Sequence, residues 1–192
     1  MPIPIPKKPT GYNWGNADAP IQVEMFMDFE CPFSKDAWLK VLKVANIYGK
    51  ERFRLSIEPI SLSNHRQSWD VTKAAFIVAG DDTNQFINFA SYLFNHQHEY
   101  SNGTFKNKTL TQLHNLLAEY AADAANWQDK EDFLYKLESE EIYQKARIPA
   151  RLGIIRGVWS TPTFFINSFP AEELSSQSTL EDWQAVINPL LN

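Results

Sequence analysis

Apolar residues partly alternate with polar ones over Ala19 to Phe29 (APIQVEMFMDF), after the turn-forming GNADAP, and this pattern predicts a core strand. From Pro32 to about Tyr48 the apolar positions Trp38, Val41, Leu42 and Ala45 recur at helical spacing, and Gly49 supplies a stop. The period then returns to two in RFRLSIEPI (Arg52 to Ile60), where Phe53, Leu55 and Ile57 sit between polar neighbours. Strand, helix and strand make a βαβ unit.

A long helical stretch is predicted next. Val71, Ala74, Ala75 and Val78 share one face over 69–80, and Phe86, Phe89, Ala90, Leu93 and Phe94 share another over 83–95. Thr109 stands three residues before Gln112 in a capping-box pattern, followed by the stack Leu113, Leu116, Leu117 and Tyr120. A further helix is expected from near Asp129 through Phe133, Leu134 and Leu137. In TPTFFINSFP (Thr161 to Pro170) the period is two again, and Asn167-Ser168 marks the turn of a tight hairpin. The last helix is read as opening with the pair Ser178 and Glu181, with Trp183, Val186, Ile187 and Leu190 on one face. The order is βαβ, helices, ββα, an α/β class. Residues 1–66 and 150–192 are assigned to an α/β body, 67–149 to an inserted helical region, and 1–14 to an extended N-terminal arm.

Composition narrows the function. With 192 residues, 44% of them apolar and 14% aromatic, the chain is long and hydrophobic enough to bury one substantial core. Lys and Arg total 18 against 23 Asp and Glu, so the net charge of -5 gives no footprint for nucleic acid or an anionic membrane surface. The arm MPIPIPKKPTGYNWG lacks the apolar run of a signal or membrane segment. A single cysteine excludes an intrachain disulfide, which fits a reducing, cytoplasmic location. The sequons at Asn102 (NGT) and Asn107 (NKT) point the other way, to a secretory route.

That cysteine lies in ECPFS, residues 30–34. Pro32 suits the first turn of a helix, which puts Cys31 at or beside the N-cap, facing unpaired backbone N–H groups and the positive end of the helix dipole. Both favour the thiolate, the nucleophilic form of the side chain. Glu30 opposes it by its charge. Ser34, three residues on, shares the same side of the first turn and can donate to the sulfur. Set against this, a lone cysteine is commonly inert core packing.

GNADAPIQVEMFMDFECPFS followed much later by GVWSTPTFFIN resembles the thioredoxin-fold family of the DsbA type, in which a strand leads into a Cys-Pro-x-Cys helix start and helices are inserted before a Thr-Pro loop. The resemblance implies a thioredoxin-like fold with a mixed central sheet. It also implies that Pro162 is cis and packs against the active sulfur, and that Thr161 before it offers backbone groups to an extended substrate. Cys31 and Ser34 are then the catalytic pair, and Pro32 and Phe33 complete the motif. Trp159, with Thr161 and Pro162 a substrate-binding candidate, and Phe33 can flank the thiol as an apolar collar for a peptide, and core packing accounts for either equally well. The family's second cysteine is Ser34 here, and the attack that releases a bound substrate needs a second thiol. The chain therefore resembles monothiol members of the superfamily, such as Cys-Pro-x-Ser glutaredoxins, with no bound cofactor and with peptide or protein disulfides or glutathione as partners.

Two alternatives stay open at this point. One is a redox-inactive scaffold that holds a peptide at the same cleft, and the other is a kappa-class-like glutathione transferase that uses the Ser34 hydroxyl. Lys145, Arg147, Arg151 and Arg156 precede the Thr-Pro loop and can bind a glutathione carboxylate or simply line a helix surface. His96 and His98, with His65 and His114 elsewhere, lack the ligand spacing of a metal site. The chain has no phosphate-binding glycine motif and no serine-hydrolase elbow.

Overall fold

The computed structural model describes residues 9–191; the first eight residues of the expected arm lie outside them. Five strands form one mixed sheet: β1 (Tyr12–Trp14), β2 (Ile21–Met27), β3 (Phe53–Pro59), β4 (Thr163–Ile166) and β5 (Phe169–Pro170), in the order β1-β3-β2-β4-β5. β2 and β3 run parallel in the register Ile21↔Phe53 to Met27↔Pro59, joined through helix α1 (Pro32–Tyr48). β4 pairs antiparallel with β2, and β5 with β4 across Asn167 and Ser168, both of which have positive φ. The arm is shorter than expected, because Tyr12–Trp14 pair antiparallel with Ile57–Leu55 as an edge strand. Three residues are too short a run for a period of two to show.

The inserted helices are α2 (Ser68–Ala79), α3 (Thr83–Asn95), α4 (Gln97–Tyr100), α5 (Leu110–Ala125) and α6 (Lys130–Leu137), followed by α7 (Glu140–Ile155). Ten of the twelve residues of α2 are buried, as expected of a helix enclosed on all sides. One apolar core runs without a break from Val23 and Met25 of the sheet through Trp38 and Val41 of α1 to Phe86 and Phe89 of α3 and Leu117 of α5. The Trp38 ring N–H donates to Ser91 at 2.8 Å, tying α1 to α3. α7 passes straight through the 149/150 boundary read from the sequence. Pro149 lies inside this helix. The last helix, α8 (Leu180–Ile187), is capped by Thr179 and Asp182, one residue later than the predicted Ser178 and Glu181, because the Ser178 hydroxyl is taken up by the Ser175 amide. Among the described residues no helix is long and apolar enough to cross a membrane.

One buried carboxyl in the sheet gives the fold a pH dependence. Glu58 is 1% exposed, its Oε1 accepts from the Thr10 hydroxyl at 2.7 Å, and its Oε2 has no hydrogen-bond partner. Gly11 fits beside it because a Cβ there would lie 2.5 Å from Oε1, at a φ of +73° that also favours glycine. Burial raises the Glu58 pKa to about 7. The folded state then holds a proton that the unfolded chain has lost, so stability falls as pH rises between the ordinary value of 4.5 and about 7. At about 1.4 kcal/mol per pH unit the loss is roughly 3 kcal/mol. Glu58→Gln keeps the shape and removes the titration, so its unfolding free energy, measured by denaturant titration across that range, should be flatter with pH and higher than wild type at neutral pH.

Candidate active site

The strand β2 ends at Met27, and the next four residues turn the chain into α1. Cys31 is the N-cap of that helix, with φ -76° and ψ 119°, and Pro32 takes the first helical position as its missing N–H allows. The cysteine is 3% exposed. Its Sγ donates to the carbonyl oxygen of Thr161 at 3.2 Å, and the Thr161-Pro162 bond is cis. Thus the two motifs far apart in sequence meet at the sulfur. The side chain makes no capping hydrogen bond, so as a thiol it is directed to the Thr161 carbonyl rather than the first-turn amides.

Ser34 is also placed differently from the sequence reading. It is fully buried, and its Oγ accepts from the Asp28 N–H at 3.2 Å, so the hydroxyl braces the strand-to-helix turn. The Asp28 carbonyl in turn accepts from the Cys31 N–H at 3.1 Å. Phe33 and Trp159 are 56% and 85% exposed, one two residues after Cys31 and the other two residues before Thr161. Thr161 is buried, with its Oγ1 unpartnered.

Under the turn lies a buried polar network that the sequence reading missed. The Asp28 carboxylate, 0% exposed, accepts from the N–H groups of Glu30 and Leu62, each at 2.7 Å, and pairs with His65 Nδ1 at 2.9 Å. The hydrogen bond to Asp28 raises the His65 pKa above its ordinary value. Glu30 accepts from the Gln67 N–H at 3.0 Å and the Asn102 N–H at 2.6 Å. Burial raises its pKa, which favours the neutral carboxyl and weakens the opposition to a thiolate read from its position. Gln97 Nε2 donates to the carbonyls of Phe29 at 2.8 Å and Cys31 at 3.0 Å, and the Tyr100 hydroxyl donates to Phe29 at 3.1 Å. The partners of Asp28 come from distant segments that no local pattern connects.

A family model described as thioredoxin matches residues 7–189. The chain belongs to this thioredoxin family. Its fold is that of the DsbA type. Similar solved structures include a candidate protein-disulfide isomerase from Pseudomonas syringae, 18% identical with a TM-score of 0.78, covering 92% of this chain and 97% of that one. The oxidised BdbD of Bacillus subtilis is 20% identical with a TM-score of 0.75, covering 94% and 92%. DsbA of Chlamydia trachomatis is 14% identical with a TM-score of 0.73, covering 100% and 95%. No curated protein sequence matches the chain.

Three of the four basic residues that precede the Thr-Pro loop have partners of their own. Arg156 is paired with both oxygens of Glu24 at 3.2 Å and stacks over Phe165. Lys145 pairs with Glu141 at 3.3 Å, and Arg147 lies over the Tyr143 ring. The histidines are likewise occupied singly: His114 lies 3.4 Å from Asp70, and His96 stacks on Tyr92.

Proposed function

We propose that this protein is a monothiol thiol–disulfide oxidoreductase of the DsbA-like branch, with Cys31 as the nucleophile. The observation that carries the reading is the contact between the sulfur at the α1 N-cap and the carbonyl before the cis proline. A helix start favours the thiolate, and the Thr161 carbonyl marks the backbone edge along which an extended peptide can pair. The Cys31 thiolate attacks one sulfur of a substrate disulfide, the Cys31–substrate bond forms, and the second substrate sulfur leaves as a thiolate and takes a proton. The chain has no other cysteine to reverse this step. An external low-molecular-weight thiol, glutathione being one, then attacks the mixed disulfide and frees Cys31.

The exposed Phe33 and Trp159 favour a peptide or protein as the disulfide partner. Such substrates are made in oxidising compartments, so we place the protein on a secretory route in preference to the cytoplasm. The transferase alternative loses ground because the Ser34 hydroxyl is buried and already bound to the Asp28 amide.

Turnover of a glutathionylated peptide with excess thiol tests this reading. Wild type should catalyse it, Cys31→Ser should fall to the uncatalysed rate, and Ser34→Ala should retain activity. Activity that survives Cys31→Ser and disappears in Ser34→Ala would select the transferase. A wild type that neither turns over nor forms an adduct would select the scaffold.

A further inference from the structure

We infer that Gln97 is a positioning residue for Cys31, through which the inserted helices set the reactivity of the thiol. Gln97 sits at the first position of α4 and is 7% exposed. Its single amide nitrogen donates to the carbonyls of Phe29 and Cys31, one two residues before the sulfur-bearing residue and the other its own. The Cys31 carbonyl also accepts from the Lys35 N–H at 3.2 Å, the first bond of α1, so Gln97 binds the oxygen that starts the helix. The Tyr100 hydroxyl, one turn along α4, lies 3.1 Å from the Phe29 carbonyl and 2.9 Å from the Leu93 carbonyl, so its one proton is shared between them.

These bonds do two things. They hold Cys31 in the extended N-cap backbone conformation from which its sulfur reaches Thr161. They also add a further donor to each of two carbonyl oxygens, which offsets negative potential that would oppose a thiolate at this turn. No other residue of the insert reaches the Cys31 backbone through a hydrogen bond among the described residues. Sequence gave no hint of this, since a glutamine between two histidines in NHQHEY has no motif of its own. The inference rests on Cys31 being the nucleophile, but it can be judged without any disulfide substrate.

The test is the rate of Cys31 alkylation by iodoacetamide as a function of pH in the full chain, with thermal melts in parallel. Gln97→Met, matched in size and unable to donate, should slow alkylation near neutral pH by roughly fivefold, and Tyr100→Phe by less in the same direction. Gln97→Glu should lose reactivity further as the new carboxyl ionises and should recover part of it when protonated. A merely structural role would lower the melting temperature and leave the pH–rate profile in its wild-type place. Profiles for Gln97→Met and Gln97→Glu that superimpose on wild type would overturn the inference; if Gln97→Met does not fold, superposition of Gln97→Glu alone does so. Loss of mixed-disulfide turnover in wild type, with these rate differences intact, would count against the proposed function and not against Gln97.

Discussion

Ser34→Cys should convert the protein from one that stops at a mixed disulfide into a dithiol oxidant. Position 34 lies one turn past the N-cap, on the same side as Cys31, and is fully enclosed. A thiol there can attack the Cys31–substrate bond, expel the substrate as a thiol and leave an internal disulfide. Intact mass should show the loss of two hydrogens on oxidation. Oxidation of a reduced protein substrate should rise from background to a rate set by the new pair. The substitution exchanges an oxygen acceptor for a weak sulfur one at the Asp28 N–H, a cost of about 1 kcal/mol in stability. A variant that folds, keeps two free thiols under oxidant and gains no activity would mean that residue 34 is not placed to resolve anything.

Asp28→Ala should be the most damaging single change to stability near the site. Its carboxylate holds the Glu30 and Leu62 amides and His65. Truncation leaves those donors buried without partners, a loss of roughly 3–5 kcal/mol. That is a large share of the ~5–15 kcal/mol that a domain commonly has. The pair with His65 also titrates. Because the folded state raises the His65 pKa above 6.5, the stabilisation is complete below that value and is lost as pH rises through the folded value. Denaturant unfolding at about pH 6 and about pH 8 should therefore show a slope in wild type that shrinks in Asp28→Ala, with the Glu58 contribution remaining. A variant as stable as wild type, or one with the full slope, would show that the carboxylate is not the hub of this turn.

Both predictions turn on contacts that differ in how readable they are from sequence. The strands β2, β3 and β4 and the helices α1, α3 and α5 follow from local period and caps: Ile21, Val23 and Met25 alternate into the core, and Thr109 with Gln112 closes the predicted capping box. The edge strand Tyr12–Trp14 and the four-residue α4 are too short to carry a period, and the boundary placed at 149/150 falls inside α7. At the site, Cys31 and the Thr-Pro loop were visible because each is a local motif of unusual residues. Asp28, His65, Gln97, Tyr100 and Asn102 were not, because their chemistry exists only when the β2 turn, the segment before α2 and the α4 region are brought together. Ser34 was found by position; that its hydroxyl oxygen accepts from the Asp28 amide is something the spacing of three residues does not reveal.

The most direct measurement is intact-protein mass after mixing the reduced protein with a disulfide-bearing peptide, followed by addition of a small thiol. The account predicts one covalent adduct, mapped to Cys31, that persists until the thiol is added and then disappears with return of the free protein. A sulfur that forms no adduct faster than a free-cysteine peptide under the same conditions would contradict it.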